Sequence, residues 1–345
     1  MAAMTPPASP LLSDAEWLAH RYVEDADAFR FVRLPRADHA AIPFLSDDCL
    51  GARQIGGDVP ADACLALPGD APLGFLFHSA FCGSTMLTRA LDRPGVAMGL
   101  SEPVVLNDVV GFRRRGADPR GVARVADIAT RLLARPFGPG EAVVVKPSNL
   151  INPLAELLLA LRPQANAVFL YAPLETFLIS VVRKGLACRL WVRELLEGYL
   201  RFGYVALGFE PEDYFRQSDL QVAAVGWLAQ HAHFAQLADK FGPGKLRSLD
   251  ADRMAANPAA AIAAAAAHYG LGIDAAIAAE IAAGPVFARH SKSGAAFTPD
   301  QRSAEYAAAR AAYGDEIDMV LRWAEEVAKG AGIAMEARHP LLAQE

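Results

Sequence analysis

The residues best suited to hold an anion lie between positions 75 and 92, in the segment FLFHSAFCGSTMLTRALD. The segment predicts a buried strand, a tight loop and a helix. A helix N-terminus presents unpaired N–H groups and the positive end of the helix dipole. Gly83 allows the backbone to approach a ligand closely, and the hydroxyls of Ser84 and Thr85 either cap the helix or donate to an oxyanion. We therefore expect the backbone from Cys82 to Thr85 to hold an anionic group.

The loop differs from the nucleotide-binding pattern G-x-x-x-x-G-K-[ST] at the residue that carries the charge. Aligned on Gly83, the first glycine of the pattern falls on His78 and its lysine falls on Ser84. That lysine neutralises the β- and γ-phosphates, so its absence disfavours an ATP or GTP site. A small-molecule phosphotransferase is therefore the weaker of the functions that the loop leaves open.

The elements around the loop alternate between short apolar strands and helices, which is typical of a parallel α/β sheet. The second half of the chain is mostly helical. Ser218 and Gln221 predict a capping box, and Asn257 and Gly270 bound an alanine-rich helix. The predicted strands are FRFVRLP (30–36), LGFLFH (73–78), AVVVKPS (142–148), AVFLYAP (167–173) and KLRSLD (245–250), and a helix over 120–134 has Val122, Val125, Ile128, Ala129 and Leu132 on one face.

Composition limits the classes of protein to which the chain can belong. The 345 residues carry a formal net charge of −6, which argues against a nucleic-acid binder with a broad basic face. No apolar run approaches the roughly 18–20 residues of a membrane span, and the N-terminus lacks the pattern of a secretory signal. Because the four cysteines show no C-x-x-C spacing, we expect a reduced, cytoplasmic protein. The oligomeric state is left open.

The loop resembles the 5′-phosphosulfate loop of sulfotransferases that use 3′-phosphoadenosine 5′-phosphosulfate (PAPS), in their bacterial branch. That loop reads P-[RK]-S-G-T-[TS]-x-L, and the sequence AFCGSTML matches it at Gly83, Ser84, Thr85 and Leu87. The resemblance continues to about residue 295 in GLSEPVVLND (99–108), in VFLYAPLETFLISVVRKG and in RHSKSG (289–294). It implies a transferase that moves a sulfuryl group from PAPS, without a metal, to a hydroxyl or amine of a small molecule or peptide.

The resemblance also assigns roles to particular residues. Glu102 matches the base, and Lys146 is expected to neutralise the leaving phosphate oxygen. Ser180 matches a serine that holds the 3′-phosphate, with help from Arg183 or Lys184. A late basic loop with Arg289 and Lys292 is expected to close over the nucleotide. His78 is an alternative base, although histidines at strand ends are often hydrogen-bonded structural groups.

The resemblance implies a three-layer α/β fold of the P-loop type, with a central parallel sheet and a helix-rich second half. Residues 71–345 are predicted to form this domain, and residues 1–70 an N-terminal extension packed on its core. Two basic residues of the family pattern are replaced, by Phe81 and Ala172. A protein of this fold that has lost the reaction and binds a ligand or partner is therefore the main alternative.

Overall fold

A computed structural model describes residues 9–39, 41–68, 71–205, 207–288 and 299–343. The described residues form eight strands. Strand β4 coincides with the predicted strand 73–78, and the other four predicted strands are also present. The strands are β1 (Trp17–Val23), β2 (Ala28–Arg33), β3 (Ile55–Pro60), β4 (Leu73–His78), β5 (Ala97–Ser101), β6 (Ala142–Lys146), β7 (Asn166–Tyr171) and β8 (Leu246–Asp250).

The second half of the chain is mostly helical, as the sequence predicts. Two 3₁₀ helices cover Glu24–Ala26 and Asn149–Leu154. The α-helices of the described residues are α1 (Pro10–Ser13), α2 (Arg36–His39), α3 (Asp47–Leu50), α4 (Ala61–Cys64), α5 (Ser84–Leu91), α6 (Val104–Arg114), α7 (Pro119–Leu133), α8 (Ala155–Leu161), α9 (Leu174–Arg183), α10 (Gly185–Arg201), α11 (Asp213–Arg216), α12 (Asp219–Phe241), α13 (Ala251–Ala256), α14 (Pro258–Tyr269), α15 (Ala275–Ala283), α16 (Pro285–Ala288) and α17 (Pro299–Ala331).

Five strands form one sheet with the order β5-β6-β4-β7-β8. The pairs β4/β6, β5/β6 and β7/β8 are parallel. β4 is the first of the five strands in the chain, yet it has later strands on both sides, so the strand order reverses at β4. Parallel α/β sheets bind ligands beyond the carboxyl ends of their strands at such a reversal. The predicted α/β fold with a central parallel sheet is therefore confirmed, and the loop after His78 follows the strand at the reversal.

The chain divides into two compact units. The first contains residues up to 75 and residues 91–165. In it, β1, β2 and β3 form an antiparallel sheet in the order β1-β2-β3, of which the sequence predicted only β2. Helix α7 begins after Asp118, whose carboxylate accepts the N–H groups of Arg120 and Gly121, and its predicted apolar face is buried. That residues 1–70 form an N-terminal extension packed on the core stays a prediction.

The second unit contains residues 76–90 and the chain from Asn166 onwards. Helix α12 begins with the predicted capping box, in which the Ser218 hydroxyl accepts the N–H of Gln221 and the Gln221 side chain accepts the N–H of Ser218. The indole N–H of Trp227, on this helix, donates to the carbonyl of Ala172 at 2.8 Å. That bond ties α12 to the residue that follows β7.

Candidate functional site

The loop that follows β4 has an unusual backbone. Ala80, Phe81 and Gly83 all have positive φ, at 75°, 54° and 79°. Residues with a side chain rarely adopt this region, which costs roughly 1–2 kcal/mol each. Because Ala80 and Phe81 both carry side chains, the surrounding structure must hold the loop in this conformation. Strained backbone of this kind is found most often at functional sites.

Side chains and backbone together fix the loop. The Ser79 N–H donates to the carbonyl of Leu170, and the Ser79 hydroxyl accepts the N–H of Ala172, both at 3.1 Å. The Ala80 N–H donates to Nδ1 of His78, also at 3.1 Å. His78 is buried, and this bond gives its ring a part in shaping the loop. Its assignment as a base stays a prediction.

The loop leads directly into α5, whose first residues are Ser84 and Thr85. Both side chains are buried, as is that of Cys82, whereas Gly83 is exposed. The carbonyl of Gly83 accepts the N–H of Leu87 at 3.1 Å, so Gly83 caps the helix that begins at Ser84. A Cβ on Gly83 would lie 2.9 Å from the terminal methyl of Met254. The loop is therefore packed closely around an exposed glycine.

Phe81 stands where the resemblance leads one to expect a basic side chain. Its ring lies 5.7 Å from that of Phe177 and 5.5 Å from that of Trp191, between centroids. The ammonium of Lys184, the residue that follows α9, lies 5.4 Å from the centroid of the same ring. A cation over an aromatic ring at this distance is attracted by about 0.5–1 kcal/mol when exposed. Positive charge is thus brought to the loop from α9.

Ala172, the second replaced position, has no side chain that could contact a phosphate. Both of its backbone polar groups have partners, since its N–H donates to the Ser79 hydroxyl and its carbonyl accepts the indole N–H of Trp227. Ala172 is fully buried. The residue therefore joins the loop, β7 and α12, which is a structural role.

Ser180 and Arg183, the predicted 3′-phosphate ligands on α9, contact the beginning of α17. The hydroxyls of Ser180 and Tyr306 are 2.7 Å apart, and Ser180 is only 1% exposed. Arg183 forms an ion pair with Glu305, and its guanidinium lies 5.3 Å from the centroid of the Tyr306 ring. The sequence singled out neither Glu305 nor Tyr306, because nothing in it connects residues more than 120 positions apart.

Glu102 and Lys146, the predicted base and cation, form an ion pair within the first unit. Nζ of Lys146 donates to Oε1 of Glu102 at 2.5 Å. The Lys146 side chain is fully buried, whereas that of Glu102 is 24% exposed. The Phe44 ring lies under the ammonium at 4.8 Å from its centroid, a contact that the sequence does not predict. The pair presents a carboxylate towards solvent and keeps its cation inside.

The backbone around Glu102 is unusual as well. Its φ is 51°, although it precedes Pro103, a position that favours extended backbone. Its N–H donates to the carbonyl of Lys146 at 2.6 Å. Glu102 and Lys146 are thus joined through both backbone and side chain. A carboxylate held on left-handed backbone beside a buried ammonium is a candidate for a functional residue.

The remaining predicted ligands, Arg289 and Lys292, lie outside the described residues. In the part of the chain that the structure describes, no three histidine, cysteine or acidic side chains are grouped as a metal site would require. None of the helices in that part combines the length and hydropathy of a membrane span.

No model of a known protein family matches the chain, and no curated protein matches it. Solved structures of bacterial sulfotransferases resemble it at low identity. A sulfotransferase of Mycobacterium avium is 11% identical, with a TM-score of 0.43 over 75% of this chain and 79% of that one. The sulfotransferase domain from the curacin biosynthetic pathway is 13% identical, with a TM-score of 0.39 over 59% and 75%. A sulfotransferase from Alicyclobacillus acidocaldarius is 16% identical, with a TM-score of 0.38 over 72% and 95%.

Proposed function

We propose that this protein is a cytoplasmic sulfotransferase that moves a sulfuryl group from PAPS to a hydroxyl or amine of a small-molecule or peptide acceptor. The observation that carries the proposal is the loop after β4. Its left-handed residues lead into a helix that begins with Ser84 and Thr85, and the Lys184 ammonium lies over the ring of Phe81. A helix N-terminus with hydroxyls and an adjacent cation is suited to an oxyanion such as a phosphosulfate.

The 5′ end of PAPS is assigned to this loop. The backbone N–H groups from Cys82 to Thr85 and the two hydroxyls supply donors, and Gly83 leaves room for close approach. Lys184 supplies charge that the loop itself lacks. ATP and GTP carry more phosphate charge than these groups neutralise, so the loop favours a phosphosulfate over a triphosphate.

The chemical step is assigned to Glu102 and Lys146. The acceptor oxygen or nitrogen attacks sulfur, and the bond between sulfur and the bridging oxygen breaks, leaving its electron pair on the 5′-phosphate. The acceptor proton goes to the carboxylate of Glu102, and the Lys146 ammonium stabilises the negative charge on the leaving oxygen. His78 is the alternative base in this proposal. Its contact with the Ala80 N–H favours a structural role over a catalytic one.

The 3′-phosphate of the nucleotide is assigned to Ser180 and Arg183, with Arg289 and Lys292 as further ligands. A guanidinium and a hydroxyl on one helix form a suitable pair of donors for a phosphate dianion. The reaction product, 3′-phosphoadenosine 5′-phosphate, carries the same group and is a stable probe of this assignment.

The alternative is a protein of the same fold that binds a ligand or partner without catalysis. The replacements at Phe81 and Ala172 favour it, because they remove two positive charges that the family pattern supplies. The position of Lys184 over Phe81 returns one of them and favours the enzyme.

Ligand binding followed by turnover tests the proposal. Calorimetric titration with 3′-phosphoadenosine 5′-phosphate, ATP and GTP is expected to show binding of the bisphosphate alone, and Ser84→Ala/Thr85→Ala is expected to weaken it about tenfold or more. Release of the bisphosphate from PAPS should then depend on an added acceptor, drawn from phenols, alcohols, amines and tyrosine peptides. Binding of ATP alone would favour a phosphotransferase. Bisphosphate binding without turnover across the panel would favour the non-catalytic protein.

A further inference from the structure

Helix α17 consists of two halves that are held by different forces. Tyr313 interrupts its helical backbone with φ −126° and ψ 16°. After this kink, the helix buries a full apolar stripe made of Ile317, Val320, Ala324 and Ala328. Before it, Ala309 is the one buried residue among positions 301 and 303–312. The second half is therefore anchored by apolar burial, and the first half has little of it.

Polar contacts with α9 hold the first half in place. Tyr306 meets the Ser180 hydroxyl at 2.7 Å, and Glu305 pairs with Arg183. Nε of Arg310 lies 3.1 Å from Oε1 of Glu175. The Glu305 side chain is 54% exposed, and exposed ion pairs of this kind contribute little to stability. Two of these three contacts use Ser180 and Arg183, which a competing ligand can contact instead.

The groups that Glu305 and Tyr306 contact are the donors that a phosphate requires. A carboxylate and a phosphate accept the same pair of guanidinium N–H groups, and a phosphate oxygen accepts a serine hydroxyl as readily as a tyrosine oxygen does. A phosphate monoester carries nearly two charges near neutral pH, whereas Glu305 carries one. It therefore competes effectively for Arg183.

We infer that Glu305 and Tyr306 act as an internal substitute for the 3′-phosphate of the nucleotide, so that the nucleotide binds by displacing the first half of α17 from α9. Because the helical backbone is interrupted at Tyr313, we expect this half to move about the kink while the second half stays packed. The inference rests on the proposed function, since the ligand is the nucleotide that the function requires. The apparent affinity for the nucleotide is then the intrinsic affinity multiplied by the fraction of molecules in which Glu305 and Tyr306 do not contact Arg183 and Ser180.

Glu305 and Tyr306, through their contacts with Arg183 and Ser180, form a clasp, and the first test compares variants of this clasp by calorimetry. Glu305→Gln keeps the shape of the side chain but removes its charge, and it is expected to tighten binding of 3′-phosphoadenosine 5′-phosphate about 3- to 10-fold. Tyr306→Phe should act in the same direction. Binding of adenosine 5′-monophosphate, which lacks the 3′-phosphate, should stay unchanged. The matched control is Glu316→Gln, because Glu316 also lies on α17 and faces an arginine of α10, Arg189, at 3.6 Å.

Unchanged or weaker bisphosphate binding by Glu305→Gln would overturn the inference and leave the proposed function standing, provided that the unmodified protein binds. If neither protein binds the bisphosphate, the proposed function fails and this inference fails with it. Binding by Glu305→Gln alone would support both, as a clasp that keeps the unmodified protein closed.

Hydrogen exchange gives a second readout that does not depend on a substitution. In the unmodified protein, saturating bisphosphate is expected to speed amide exchange over residues 303–312 and to leave residues 314–331 unchanged. Slower exchange over 303–312 would show that the segment closes on the ligand, and the inference would then be wrong.

Discussion

The charged side chains of the two candidate regions, one in each unit, differ in how deeply they are buried. In the first unit, Lys146 is fully buried and joined to Glu102 through side chain and backbone. In the second unit, Arg183 at the end of α9 and Lys184 directly after it have long, partly exposed side chains that lie over aromatic rings. Glu102 and Lys146 hold each other in a single geometry. The side chains of Arg183 and Lys184 can instead change conformation to contact a ligand.

The contrast between the two regions predicts where the loss of a charge is tolerated. A buried ammonium cannot be left without its carboxylate, because the cost of removing its charge from water is then uncompensated. An exposed cation is solvated with or without its partner, so its loss changes ligand affinity more than stability. The two regions are therefore expected to respond differently to the loss of one charge.

The largest effects are expected at the buried pair. Glu102→Ala leaves the Lys146 ammonium buried without its carboxylate and is expected to lower the free energy of unfolding by about 3 kcal/mol. Lys146→Met replaces a buried charge with an apolar side chain of similar length, while Glu102 can be solvated, so the cost should stay under about 1 kcal/mol. Urea denaturation of the two variants measures the difference.

Activity separates the chemical role of the pair from its structural role. Glu102→Gln keeps an acceptor for Lys146 but cannot take a proton, and it is expected to lower kcat about 100-fold or more with the bisphosphate affinity unchanged. If Glu102→Gln turned over at the normal rate, its role as the base would be refuted. If Lys146→Met were less stable than Glu102→Ala, the account of the buried pair would be wrong.

The next largest effect is the acid sensitivity of one buried histidine in each unit. Burial lowers the pKa of His39 to about 4 and that of His231 to about 3, from an ordinary value of 6.5. Each ring also has an Nε2 atom that is buried without a hydrogen-bond partner in the described part of the chain. Protonation of either ring in the folded protein would therefore place a charge in apolar surroundings.

The direction of the pH dependence of stability follows from which state, folded or unfolded, binds the protons. Below pH 6.5 the unfolded chain protonates both histidines while the folded protein keeps them neutral, so stability is full above pH 6.5 and is lost as the pH falls towards 4 and 3. At pH 5 the loss is about 2 kcal/mol for each histidine. His39→Leu and His231→Leu should each flatten the dependence of unfolding free energy on pH between 6.5 and 4.5. If the double variant kept the slope of the unmodified protein, other groups would be responsible.

The strands and helices of the central sheet can be predicted from the sequence because local patterns encode them. The strands around the loop, the apolar face of α7 and the capping box of α12 all follow from periodicity and end signals within a few residues. The parallel sheet follows from the alternation of these elements. By contrast, β1 and β3 have weak patterns, so the antiparallel sheet of the first unit could not be predicted from them.

The local geometry of the candidate loop could be predicted from the sequence, whereas its contacts with distant segments could not. Gly83, Ser84 and Thr85 lie at a helix start, as local signals indicate. The placement of Lys184 over Phe81 and of Tyr306 on Ser180 depends on tertiary packing between distant segments. A pattern can show that a charge is absent from a loop, but it cannot show which distant side chain supplies it.

A smaller effect is expected at the loop glycine. Gly83 and Gly95 both have φ of 79°, so alanine at either position is expected to cost about 1–2 kcal/mol of stability. Gly95 has open space around its would-be Cβ, whereas Gly83 faces the Met254 methyl and borders the loop. Gly83→Ala should therefore also weaken bisphosphate binding about tenfold, and Gly95→Ala should not. Equal affinities in the two variants would contradict an anion site at this loop.

The smallest effect is expected from Lys184, the adaptable cation. Lys184→Met removes the charge from above the Phe81 ring and is expected to weaken bisphosphate binding about 3- to 5-fold, less so at high salt, with stability changed by under about 1 kcal/mol. Lys240→Met is the matched control, since the Lys240 ammonium also lies over an aromatic ring, that of Phe241, at 5.8 Å. Adding Phe81→Arg to Lys184→Met should restore affinity if the two positions supply the same charge. Failure of that rescue in a double variant that remains folded would assign Lys184 to another part of the ligand, and the exposed charges of the second unit would then not be interchangeable.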